Sequence, residues 1–217
     1  LLLNVALYAI LRCKVLTDGA LATPLAGRMM IGFGLLSVVA AAFLLTRQKD
    51  VKRMFAYSSI EHMGLMTFAF GLGGPIANFA GLLHMTVHSL VKSAIFFAVG
   101  HAAQKAGTQV MEEIRGLIRV SPSVGWGLML GSLAILGMPP FGVFASEFLI
   151  ITTAMREQPW ATPFLLVALG VALALSVHLI NQSALAEFSA AVRTVQGQPD
   201  ARLACLRREG CDEALLD

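Results

Sequence analysis

The sequence predicts an all-α polytopic membrane protein: about five full transmembrane helices plus a partial first one, with one helix broken at Gly137–Gly142. Three observations predict it. Mean hydropathy is +0.74, with 57% hydrophobic and 13% charged residues, a balance not expected of a soluble globular domain. Apolar runs recur along the 217 residues, several reaching the roughly 20 residues that cross a hydrocarbon core about 30 Å thick. The runs are solid rather than alternating, which argues against a transmembrane barrel.

The elements follow in order. Leu1 to Leu11 begins in mid-hydrophobic stretch and reads as the second half of a membrane helix, closed by Arg12 and Lys14, with a loop over Thr17–Pro24. A second helix is expected over Met29–Leu45, where Gly32, Gly34 and Ala40 to Ala42 suit close packing in lipid. The basic stretch 47–53 is a membrane-edge loop, followed by a third helix over Lys52–Phe70 with Glu61 and His62 near its middle. Gly71–Pro75 is a tight turn, and the fourth helix covers Ala77–Ala103. A polar loop with Lys105, Glu112, Glu113, Arg115 and Arg119 leads to a segment over Ser123–Met155, too long for one span. Gly137, Pro139, Pro140 and Gly142 break it: the prolines remove backbone donors and clash with the preceding turn. A sixth helix is expected over Pro163–Ile180. Residues 1–176 form the transmembrane region, and 177–217 read as a polar cytoplasmic tail.

Lysines and arginines set the orientation. Arg47, Lys49, Lys52, Arg53, Lys105, Arg115 and Arg119 lie on one side; Arg12, Lys14, Arg28 and Arg156 lie on the other. The first side is expected to be cytoplasmic. The net charge of +3 is therefore assigned to topology and not to nucleic acid. Cys13, Cys205 and Cys211 are too scattered for a disulfide or metal framework. Neither a cofactor motif nor a catalytic nucleophile is recognisable, so redox chemistry falls to partner subunits.

The fourth helix carries the strongest chemical signal. His84, His88 and Lys92 recur at i, i+4 and i+8 and form one stripe. Titratable groups within a bilayer helix are costly, and they mark ion or proton pathways. The plainer alternative makes the histidines helix–helix hydrogen bonders and lets Lys92 snorkel to the interface. No third ligand lies near the two histidines in sequence, so a metal site is not expected. Glu147, beyond the break, is a carboxylate able to load and release a proton, or else a packing group bonded to the loosened backbone. Glu61 and His62 are adjacent, so at most one is expected to face the stripe. Lys52 sits at the membrane edge.

The stretches KDVKRMFAYSSIEHMG (49–64), HMTVHSLVKSAIFF (84–97) and GMPPFGVFASEF (137–148) resemble the proton-conducting, antiporter-like membrane subunits of respiratory complex I, multisubunit sodium/proton antiporters and membrane-bound hydrogenases, most closely the hydrogenase-4 branch. The resemblance covers about Leu1–Ser176. It implies a second inverted repeat containing a broken helix, with hydrophilic-axis residues at His84, His88 and Lys92 and an outward-exchanging group at Glu147. It further implies a polar position at His62 and places Lys52 in a shared motif. A first repeat is not matched, and the sequence departs from the family after residue 176. The hypothesis that follows is a fragment with a change of frame near there.

The expected function is proton translocation in the cell inner membrane, coupled to electron transfer in hydrogenase or dehydrogenase partners alongside other membrane subunits and lipid. The alternatives are a sodium/proton antiporter subunit and a truncated, non-conducting structural remnant.

Overall fold

The computed structural model describes residues 2–174 apart from positions 22, 111–113, 115–116, 118–120 and 172. The expected tail (177–217), the acidic and basic groups at 112, 113, 115 and 119, and the C-terminal part of the sixth expected helix lie outside the described residues. The described elements are helical: α1 (Leu2–Leu21), α2 (Leu25–Leu45), α3 (Val51–Leu72), α4 (Gly74–Ala106), α5 (Pro122–Ile135), α6 (Gly142–Glu157) and α7 (Thr162–Val171). Among them, α2 and α4 are long and apolar enough on their own to cross a bilayer.

The boundaries have local causes. α1 does not stop at Leu11. Lys14 pairs with Asp18 one turn on (2.9 Å), and the Thr17 hydroxyl donates to the Cys13 carbonyl, so the polar residues are satisfied on the helix surface. α2 starts a turn before Met29, behind Pro24, whose fixed φ suits a helix start and whose carbonyl accepts from the Arg28 amide. α3 is capped by Asp50, whose carboxylate accepts from the Lys52 and Arg53 amides at 2.8 and 3.0 Å. The turn expected over Gly71–Pro75 shrinks to a joint at Gly73 and Gly74, both at positive φ (71° and 77°), which only glycine adopts without strain. α4 ends at Gly107 in the left-handed region (φ 70°). The loop beyond it returns to α3, where the Val51 amide donates to the Gln109 carbonyl (3.0 Å).

α2 and α3 touch backbone to backbone. A Cβ placed on Gly34 would lie 2.6 Å from the Phe68 amide nitrogen and 2.7 Å from the Gly64 carbonyl oxygen; one on Gly71 would lie 2.9 Å from the Gly27 carbonyl oxygen. Of the small residues expected to make this contact, Gly34, Ala41 and Ala42 are buried, whereas Gly32 and Ala40 face outward. They point away because the seam follows the Gly27–Gly34 heptad spacing, which meets Gly64 and Gly71 on α3. The core beside the seam holds Val38, Leu65, Phe68, Ile150 and Leu165.

Large apolar side chains cover the exterior, while a row of titratable side chains lies buried beside the apolar core. Phe33, Leu36, Phe43, Leu90 and Phe97 are each at least 60% exposed, while Glu61, His62, His84, His88 and Lys92 are at most 5% exposed. That inversion suits a hydrocarbon surround.

Candidate functional site: a buried polar axis

α4 carries its stripe between α3 on one side and the broken pair α5–α6 on the other. At one end, the Lys92 ammonium does not snorkel outward. It donates to the Phe55 carbonyl (2.8 Å) and the Ser58 hydroxyl (3.0 Å) on α3 and lies over the Phe55 ring. Phe55 and Ser58 precede Glu61 by six and three residues, so this face of α3 meets the stripe over two turns. Glu61 lies within electrostatic reach of both Lys92 and Glu147.

His88 comes next towards the other end. Its ring centroid is 5.2 Å from that of His62 and 6.2 Å from that of His84. Its Nε2 is buried without a hydrogen-bond partner among the described residues. Beyond it the contacts tighten. His62 Nδ1 lies 2.9 Å from His84 Nε2, and His84 Nδ1 lies 2.8 Å from the Ser146 hydroxyl. His62 Nδ1 is also 3.7 Å from the Glu147 carboxylate.

The break positions Glu147. α5 stops at Ile135 and α6 starts at Gly142, as the Gly-Met-Pro-Pro-Phe-Gly sequence requires. Gly137 sits between them at φ 64°, and the space its missing side chain leaves is taken by the Glu147 carboxylate. The loosened turn and the acid are therefore one unit: the chain breaks where the carboxylate folds back.

A cavity of about 430 Å³ opens against the Lys92 end, lined on its polar side by Asn4, Ser59, His88, Ser89, Lys92 and Ser93. The Asn4 amide on α1 hydrogen-bonds the Ser89 hydroxyl on α4, so α1 forms one wall.

Comparison with known proteins gives this geometry its context. The profile of the family described as "NADH:quinone oxidoreductase/Mrp antiporter, TM" matches residues 1–175. The chain belongs to this family. It is 52% identical over 184 residues to the hydrogenase-4 component F homolog of Methylacidiphilum infernorum, covering 84% of this chain and 39% of that protein. Its backbone resembles a chain of the membrane-bound sulfane sulfur reductase MBS, described as an archaeal respiratory membrane complex (TM-score 0.67, 36% identity, 71% of this chain and 32% of that one). It also resembles a chain of the Mrp complex from Dietzia sp. (TM-score 0.69, 28% identity, 80% and 20%). The sequence thus spans about two-fifths or less of each of these relatives.

In this antiporter-like family member, the structure brings together six of the seven residues expected in a proton path: Glu61, His62, His84, His88, Lys92 and Glu147. Lys52 stands apart in the first turn of α3, nine residues and about 13 Å of helix rise before Glu61. Of the adjacent pair, His62 meets the stripe at His84, and Glu61 lies within electrostatic reach of Lys92. A different set of donor groups, without His88, meets in space. His62, His84 and Glu147 converge from three helices, their donor atoms all within 4.8 Å of one another. Sequence separation hid it: Glu147 lies 63 residues beyond His84.

Sequence reasoning missed Ser146 and Ser58. Ser146 lies immediately before Glu147, and a hydroxyl beside an intramembrane carboxylate was the available signal.

Proposed function

We propose that this chain translocates protons through the membrane along the axis Lys92–His88–His62–His84–Glu147, with Glu61 as the buried countercharge to Lys92. The observation that carries this reading is the row of buried titratable side chains from the cavity at Lys92 to the helix break at Glu147. Such groups are costly in hydrocarbon and face protein or water when they serve a pathway. The two ends differ: Lys92 borders an opening, and Glu147 sits at a helix break, a feature that membrane proteins keep where backbone is buried in protein or lines a water-filled cavity.

The excess of lysine and arginine near Lys49, Lys52, Arg53 and Lys105 supports a cytoplasmic location for the Lys92 end. Protons then enter at Lys92 and His88 and leave beyond Glu147. The cell inner membrane fits this direction. Similarity to a hydrogenase-4 component homolog and to a chain of MBS supports a drive by redox partner subunits, whose electron transfer would bias proton loading through the low-dielectric interior. Glu147→Gln in the complete complex is expected to lower proton translocation by about 100-fold, the scale of a lost positioned proton-transfer group, while electron transfer in the soluble partners continues. An unchanged proton-to-electron ratio would overturn the assignment.

The resemblance to the Mrp complex favours a second reading, sodium/proton antiport without a redox partner. A sodium-dependent pH gradient in vesicles lacking electron donors selects it.

A further inference from the structure

We propose that His62, His84 and Glu147 form a binding site for a divalent transition-metal ion of the zinc class, and that an ion bound there stops proton movement along the axis. The second half of that statement rests on the proton route above; the first half does not.

The donor set comes first. Two imidazoles and one carboxylate, with a fourth position open, is a set that zinc accepts. Around a tetrahedral ion with bonds of about 2.0–2.1 Å, donor atoms stand about 3.3 Å apart. Here His62 Nδ1 lies 2.9 Å from His84 Nε2 and 3.7 Å from Glu147 Oε1, and the three donors all fall within 4.8 Å of one another. Shifts of a few tenths of an ångström in the first two of these separations bring them to the ligating value. The three donors also arise from three helices, so tertiary packing and not local sequence holds them together.

The hydrogen bonds behind the donors point the same way. A ligating histidine usually gives its other ring N–H to a fixed acceptor, which sets the tautomer. The Ser146 hydroxyl donates to the Val143 carbonyl at 2.8 Å, leaving its oxygen to accept from His84 Nδ1 at 2.8 Å. His84 Nε2 is thereby left with a lone pair directed at His62. His62 lies beside the Ile135 backbone, at the end of α5. In the tautomer protonated at Nε2, His62 Nδ1 also presents a lone pair. In that tautomer the two lone pairs meet at 2.9 Å and repel unless a cation joins them. A proton fits on the line between the two nitrogens; a metal ion with bonds of about 2.0–2.1 Å sits beside that line and needs the two rings to turn so that both lone pairs converge on it. The proton and the ion exclude each other.

Charge and access are compatible with a divalent ion. Glu147 would contact it directly, and Glu61 supplies a second carboxylate within electrostatic reach of Glu147, with Lys92 as the opposing cation. The cavity that reaches His88 and Lys92 brings water to within one imidazole of the site, since His88 stands 5.2 Å from His62.

The test uses the intact membrane complex that contains this chain, stripped with chelator, equilibrated with zinc sulfate and desalted. Zinc per complex is counted by plasma mass spectrometry, and zinc K-edge absorption reports its ligands. His62→Asn, His84→Asn and Glu147→Gln are each expected to hold one zinc fewer than the unsubstituted complex. The difference spectrum is expected to show nitrogen and oxygen ligands, including two imidazoles. Ser146→Ala keeps all three donors and is expected to bind zinc about 10–100-fold more weakly, the scale of a lost outer-shell partner. Equal zinc content in all four variants overturns the site. A loss in His88→Asn as large as that in His84→Asn overturns it too, by placing the ion elsewhere. If the site variants lose zinc but zinc leaves proton translocation by the unsubstituted complex unchanged, the blocking role is overturned and the site stands. An unchanged proton-to-electron ratio in Glu147→Gln removes the proton route without touching the zinc count.

Discussion

The two faces of α3 are built on opposite rules. One face, through Gly64, Phe68 and Gly71, meets α2 with backbone against backbone and no titratable group in the contact. The other, through Phe55, Ser58, Glu61 and His62, meets α4 and α6 through hydrogen bonds and charges. The apolar seam fixes where α3 stands; the polar face then holds its groups at set distances from a stripe that could not choose its own partners. Without a hydrophobic force between helices in lipid, close packing is the main source of that rigidity.

Substitutions at the seam should therefore have the largest effect. Gly34→Leu forces a side chain into the α3 backbone at Phe68 and Gly64, and is expected to abolish recovery of folded, monodisperse protein from membranes. Gly32→Ala, two residues away on the outward face with open space around it, is the control. It is expected to leave thermal stability equal or raised by up to about 1 kcal/mol, from helix propensity alone. If both variants behave alike, the seam does not organise α3.

The polar face should break functionally before it breaks structurally. Lys92→Met keeps the length of the side chain and removes the cation. It is expected to cut proton translocation by about 100-fold while the complex still assembles, measured as acidification in proteoliposomes against complex content. Gly137→Ala acts one step back. The added methyl meets the Glu147 carboxylate, and the left-handed backbone costs an alanine about 1–2 kcal/mol. Reduced translocation with a lowered melting temperature is expected. Ser58→Ala has the smallest effect. It removes one of the two hydrogen bonds to the Lys92 ammonium, a loss of about 1–2 kcal/mol, and the Phe55 carbonyl keeps Lys92 in place. A translocation rate within a few-fold of the unsubstituted complex would sharpen the contrast; a loss as deep as that of Lys92→Met would erase it.

What the sequence revealed follows the same division. The helices, the break at Gly137–Gly142 and the stripe on α4 were legible because they depend on apolar runs, on proline and glycine, and on a period of 3.6 residues. The direction of Lys92 was not. A lysine two residues past the midpoint of α4 can snorkel or turn inward, and the Phe55 carbonyl and Ser58 hydroxyl decide the matter from another helix. The convergence of His62, His84 and Glu147 was hidden for the same reason, as was the seam partner Gly27, which lies before the start expected for α2. The extension of α1 past Arg12 is not legible either, because charges at a helix end look like a stop, whereas Lys14 and Asp18 neutralise each other on the helix surface.

The stripe has a length as well as a composition. His84 to Lys92 is eight residues of helix, about 12 Å along the axis, within a hydrocarbon core about 30 Å thick. A charge moved between its ends crosses about two-fifths of the insulating layer. With 100 mV across a membrane worth about 2.3 kcal/mol per elementary charge, that passage changes the energy by about 0.9 kcal/mol, or four- to fivefold in occupancy. A voltage across the membrane would therefore act directly on any charge carried along this short row of side chains, favouring one end over the other.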